Sequence, residues 1–156
     1  MNTFAATIVA IALASSSAAI QAEPSPVALV GDVKLEKTVT EGGKTRTEVS
    51  EPKVVVPGDR LLFTTRYTNS GKVAVTNFVV TNPLPPAVVL THEPAQGYVV
   101  SVDGGKTWGL LTAARVADGK GGTRPATASD VTHLRWTIPT IAPAAAGMVQ
   151  YRATVR

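Results

Sequence analysis

Two Gly-Lys-Thr triplets, at 43–45 and 105–107, are the first residues that invite chemistry, because Lys-Thr after Gly closes a phosphate-binding loop. Such a loop needs another Gly five positions earlier, where this chain has Thr38 and Val100. Both triplets also fall in hairpin-turn sequences rather than between a strand and a helix, so they read as turns. His92 and His133 are the only histidines and have no partner at ligand spacing. The chain contains no Cys, which removes thiolate metal sites, disulfides and a thiol nucleophile. Asp103 and Asp118 lie beside glycines, but no acidic run resembles a calcium loop. No Gly-x-Ser-x-Gly elbow occurs, and the 11 Asp and Glu residues are scattered over outward strand positions and turns. The expectation is a chain that is not an enzyme and holds no cofactor or metal.

Charge leaves binding as the remaining chemistry. Lys and Arg number 15 against 11 acids, for a net charge of +4 and a pI near 9.6. The cations are spread along the chain without a cluster or an aromatic platform, which argues against nucleic acid. Screened attraction to an acidic polysaccharide, lipid headgroups or an acidic partner fits better. The segment Gly109–Asp130 shows no period and few large apolar residues, so it is expected to be a long mobile loop. Its Lys120, Gly121, Gly122 and Arg124 form the candidate interaction site. Lys37 is a separate oddity, because it shares a strand face with Val33, Leu35 and Val39. A charge there must reach water along its stem or sit at an edge. A covalent bond from it to the last strand is not expected, since Val149–Arg156 offers no Asn or Asp.

The elements that must position these residues are strands. At 156 residues and 44% hydrophobic, the chain has the size of one domain. Residues 1–22 carry no charged side chain; an apolar run from Phe4 to Leu13 is followed by small residues and then by Pro24. This reads as a secretory signal peptide, cleaved after Ala22 or, as second choice, Ala19. It is too short and too rich in Ala and Ser for a good membrane span, so no span is expected in the mature chain. Residues 23–32 read as a lead-in, and period-two alternation then runs from 33 to the end. Arg60–Asn69 gives the cleanest strand, with Leu61, Phe63, Thr65 and Tyr67 inward. Leu134, Trp136 and Ile138 form another inward set, as do Val149, Tyr151, Ala153 and Val155. Turn residues at Glu41–Lys44, Pro57–Asp59, Asn69–Lys72 and Asp103–Lys106 separate short strands. Asn82–Pro86 reads as a rigid connection. The pattern predicts an all-β antiparallel sandwich or barrel of about seven to nine strands.

Several pieces in order resemble one family: Leu35-Glu36-Lys37-Thr38-Val39, Val56-Pro57-Gly58-Asp59-Arg60-Leu61, Tyr67-Thr68-Asn69-Ser70-Gly71, Val79-Val80-Thr81-Asn82-Pro83-Leu84-Pro85, and Trp136-Thr137-Ile138 with Ile141-Ala142-Pro143. Together they resemble the conserved repeat domain of bacterial surface proteins, a family classed as domain of unknown function number eleven. The likeness spans residues 33–156. It implies an immunoglobulin-like β-sandwich, secretion, a structural or surface role and no known catalytic residue. The expectation is a secreted, noncatalytic structural or binding domain of the cell envelope or surface, periplasmic or extracellular. Its partner would be an envelope protein or polysaccharide, or a second copy. The alternative is a subunit of an extracellular filament or adhesin that assembles through strand edges.

Overall fold

Alternating apolar and polar side chains become strands in the computed structural model, which describes residues 26–91 and 97–156. The signal segment 1–22, its cleavage sites and His92 lie outside the described residues. Ten strands are present: β1 (Val27–Glu41), β2 (Lys44–Ser50), β3 (Arg60–Asn69), β4 (Val75–Pro83), β5 (Val88–Thr91), β6 (Val99–Ser101), β7 (Arg115–Ala117), β8 (Thr123–Pro125), β9 (His133–Ile141) and β10 (Ala146–Val155). They form a five-stranded sheet in the order β2-β1-β3-β10-β5, a three-stranded sheet β4-β9-β6, and a ribbon β7-β8. All neighbours are antiparallel.

The chain is all-β, with the inner faces of its two larger sheets sharing one core in a sandwich-like arrangement. Leu35, Leu61, Leu90, Tyr151 and Ala153 come from the larger sheet, and Val80, Val100, Leu134 and Trp136 from the smaller one. Val80 and Leu134 are wholly buried. Trp136 meets Tyr98 edge-on at 5.5 Å and leans on Tyr151, which stacks on Phe63 at 4.6 Å. Such offset and edge contacts add to the area that each ring removes from water. Burial pushes the Tyr151 phenol above its ordinary pKa.

Turn chemistry fixes the register. Gly42 and Gly43, at φ +58 and +76, make the two-residue turn that sets Glu41 opposite Lys44. The Pro57-Gly58-Asp59 turn is tied to β10, since the Gly58 amide donates to the Val155 carbonyl and the Val155 amide to the Asp59 carbonyl. Asn69 is the inner pin of the next corner. Its side-chain amide donates to the carbonyls of Val73, Ile141 and Ala142, while its Oδ1 accepts from the Gly71 amide.

Three sequence expectations change. Strand β1 begins at Val27, so 27–32 belongs to the sheet and not to a lead-in. These residues pair with β3 from Val27 opposite Asn69 to Asp32 opposite Thr64. Adjacent exposed Leu29 and Val30, followed by Gly31, hide the alternation there. Asn82 and Pro83 continue β4 instead of opening the connection, which an edge strand tolerates because Pro lacks only a donor. Among the described residues there are ten strands, of which the two packed sheets take eight, within the seven to nine expected of the sandwich. The other two lie in Gly109–Asp130, expected as a loop without regular structure. It holds a 3-10 turn at Leu111–Ala113, the β7-β8 ribbon and a second 3-10 turn at Ala128–Asp130. Its order comes from carboxylate and backbone hydrogen bonds, which leave no apolar period. Lys37 is exposed, opposite Glu48 on the part of β1 that runs beyond β3.

Candidate functional site

The densest arrangement of polar and aromatic side chains outside the core begins at the turn after β6. Asp103 organises that turn: its carboxylate accepts from the Thr107 hydroxyl and amide, the Ser101 hydroxyl and the Lys106 amide. These bonds, the Thr107 hydroxyl first, hold its pKa well below the usual 3.8. Gly104 and Gly105 supply the two positive φ angles. The turn closes where Val100 and Gly109 exchange backbone hydrogen bonds. That closure lays Trp108 against the outer face of the three-stranded sheet.

Arg135 points outward from β9, paired with Thr81 on one side and Val99 on the other. Its guanidinium carbon lies 3.6 Å from the centroid of the Trp108 ring, a cation–π contact. The indole N–H donates to the Gly105 carbonyl at 3.1 Å. His133 stands edge-on to the same ring at 6.2 Å, with Nδ1 3.0 Å from the Thr132 hydroxyl. Beside Trp108 opens a cleft of about 300 Å³ whose lining includes Thr107, Leu110, Ala113 and Arg115. Leu110 is 63% exposed. The cleft therefore combines an aromatic ring, an apolar side chain, a hydroxyl and a guanidinium.

Arg115 begins the β7-β8 ribbon and donates to both the hydroxyl and the carbonyl of Thr123. The candidate loop residues sit on this ribbon, but they are not one site. Lys120, Gly121 and Gly122 form its exposed tip. There the Asp118 carboxylate accepts from the Lys120 and Gly122 amides at 2.8 and 2.9 Å, which lowers its pKa. Arg124 instead forks onto Asp130 at 2.7 and 2.8 Å. Asp130 also caps the second 3-10 turn through the Thr127 amide and hydroxyl. The Arg124 guanidinium, then the Thr127 amide, hold the Asp130 carboxyl well below its usual range. All three Asp side chains of this stretch thus turn onto the chain's own donors. Lys106, Lys120 and Arg115, together with Arg135, set the sign of its surface.

Trp108, Arg135 and His133 were not grouped by sequence reasoning. Arg135 lies 27 positions after Trp108, and only the pairing of β6 with β9 brings them together. The readable traces were the outward parity of Arg135 and a Trp just past an Asp-Gly-Gly turn. The first Gly-Lys-Thr triplet lies across the β1-β2 hairpin turn and the second in the Asp103 turn; neither leads into a helix. Among the described residues no three His, Asp or Glu side chains gather as metal ligands, and no helix is long and apolar enough to cross a membrane. No family model matches the chain, and neither a curated protein nor a solved structure matches it.

Proposed function

We propose that this chain is an exported, noncatalytic, immunoglobulin-like domain of the bacterial envelope that holds an anionic partner at the Trp108 surface. The observation that carries this reading is the guanidinium of Arg135 stacked on Trp108 beside a cleft that also presents Arg115. Arg135 Nε donates to the Thr81 hydroxyl at 3.4 Å, a stacked guanidinium keeps its terminal N–H groups in plane for an acceptor, and the neighbouring acids are engaged with backbone amides. The family resemblance supports the fold and compartment: its Pro57-Gly58-Asp59 and Asn69-Ser70-Gly71 pieces occupy corners that pin one strand to another.

Assembly through strand edges draws less support. Strand β4 takes a positive φ of +51 at Asn77, which its pairing with β9 skips between Thr76 and Phe78, and it ends in Pro83. Strand β2 presents Lys44, Arg46 and Glu48. These are features that discourage further pairing.

Retention on an immobilised acidic envelope polysaccharide tests the reading. Trp108→Ala and Arg135→Gln should each weaken retention about tenfold, the loss of one desolvated cation–π or charge-assisted contact. Unchanged retention in both would refute the Trp108 surface. Mass spectrometry of exported protein should find Glu23 or Ile20 at the N-terminus; intact Met1 would overturn the compartment.

A further inference from the structure

We infer that the gap between the two sheets beside β1 is a second binding site, for a neutral aromatic ring that carries one hydrogen-bonding oxygen. On the inner face of the large sheet, Val33 continues in a row to Phe63 and Tyr151, and Gly31 stands next to it, opposite Thr65. Gly31 brings no side chain, and a Cβ at this position would meet nothing within 4 Å. The bare position opens a cavity of about 450 Å³, floored by Gly31 and Val33 and walled by Phe63 and Tyr151. Asn82, Pro83 and Pro85 close it from the side of the smaller sheet. Asn82 Nδ2 donates to the Thr65 hydroxyl at 2.8 Å, a strut that ties one sheet to the other at the cavity wall. Leu29, two positions before Gly31 on the same face, is 47% exposed. The smaller sheet therefore leaves this end of β1 uncovered, which gives the cavity an entrance.

The ligand class follows from Tyr151. Only 3% of this residue is exposed, yet among the described residues none hydrogen-bonds its hydroxyl, which is not sealed off from solvent either. A buried phenol ordinarily has a partner, so this one is left for a group that the chain does not supply. Burial raises its pKa, which keeps the hydroxyl protonated and able to donate. The Phe63 and Tyr151 rings lie parallel to within 2°, and the flat faces of Pro83 and Pro85 belong to the opposite wall, a lining that suits a planar apolar ring. Among the described residues no cation lines the cavity, and an unpaired charge there would lose its hydration. Asp32 reaches the wall from the opposite parity and turns its carboxylate to Lys34 and Arg66, at 3.7 and 3.9 Å. The volume falls within the roughly 300–1,000 Å³ of small-molecule sites. The Trp108 surface lies on the outer face of the other sheet and takes anions, so either site can fail without the other.

An NMR titration of the folded protein with p-cresol decides it, with toluene and p-toluenesulfonate as separate arms. The cresol should move the amides of Gly31, Val33, Phe63 and Tyr151 in a saturable way, toluene should do so more weakly, and the sulfonate should not. Tyr151→Phe should weaken cresol binding about fivefold, the loss of one hydrogen bond, and leave toluene binding as it was. Its urea midpoint should stay at the parent value, because no internal hydrogen bond is removed. Gly31→Leu places a side chain in the empty space and should abolish the shifts while the remaining amide spectrum stays that of the folded protein. No shift up to about 10 mM would overturn the proposal. So would equal shifts with the sulfonate, shifts confined to Trp108 and Arg135, or cresol affinity undiminished in either variant. A lower midpoint in Tyr151→Phe would show that the hydroxyl already has an internal partner, and would overturn it as well.

Discussion

The sandwich interior and the excursion from Asp103 to Asp130 are held by different forces. Inside, Val80, Leu134 and Trp136 leave water together, and the stabilisation scales with apolar area. In the excursion, the side chains of Asp103, Asp118 and Asp130 gather backbone amides, Leu110 is exposed, and only Leu111 and Ala128 pack against the core, without being fully buried. Burial is shared by every residue that faces the core, so damage there should spread. A carboxylate cap serves one turn, so damage there should stay local.

Trp136→Ala should have the largest effect, costing about 3–5 kcal/mol in urea unfolding and lowering protection of core amides throughout both sheets. An unchanged midpoint would mean that the aromatic cluster does not hold the sheets together. Asn69→Ala should come next. It strips buried donors from the Val73, Ile141 and Ala142 carbonyls, for a loss of roughly 2–3 kcal/mol. Because Asn69 is polar yet acts between sheets, a loss confined to the 69–73 corner would break the division between global and local effects.

Asp130→Ala should cost about 1 kcal/mol, the usual loss for a cap. Trypsin should cut the parent protein first after Lys120, at the exposed ribbon tip, since Pro125 closes the bond after Arg124 to the protease. In the variant, which frees Arg124 and the β7-β8 ribbon from Asp130, the cut after Lys120 should accelerate while the core midpoint barely moves. Equal acceleration at sites within β3 or β9 would show that the excursion and the sandwich open as one unit.

Acid should have the smallest effect, one that discriminates by position. The Asp103, Asp118 and Asp130 carboxyls have folded pKa values depressed below the ordinary 3.8. Their contribution is therefore complete above the unfolded carboxylate pKa and is lost as pH falls below it through the folded values. The amides of Thr107, Lys120 and Thr127 should lose exchange protection before those of Val80 and Leu134. Carboxyl midpoints above 3.8 by NMR would remove the caps as the source of local order.

The same contrast explains what was legible in the sequence. Strand β3 runs from Arg60 to Asn69 as its alternation predicts, and Leu134, Trp136 and Tyr151 face the core as their spacing requires. Burial on one face of a strand writes a period of two. Backbone pairing without burial writes nothing, which is why residues 27–32 and the β7-β8 ribbon did not register as strands. The converse error is also available: Val54, Val55 and Val56 form an apolar run but lie exposed between β2 and β3. The Trp108–Arg135 contact was beyond reach for another reason, since it depends on which strands become neighbours.

The position of β10 has a consequence for how the molecule comes into being. It is the last strand in chain order, yet it lies inside the large sheet between β3 and β5. Tyr151 and Ala153, central to the packing, belong to it. As the polypeptide is synthesised, none of the earlier strands can complete the sheet, and closure waits for pairings that span most of the sequence. Such long-range closure is slow compared with the formation of a local hairpin. Pairing across the large sheet therefore waits for β10, and a truncation that removes it would leave β2-β1-β3 on one side and the single strand β5 on the other, with nothing between them.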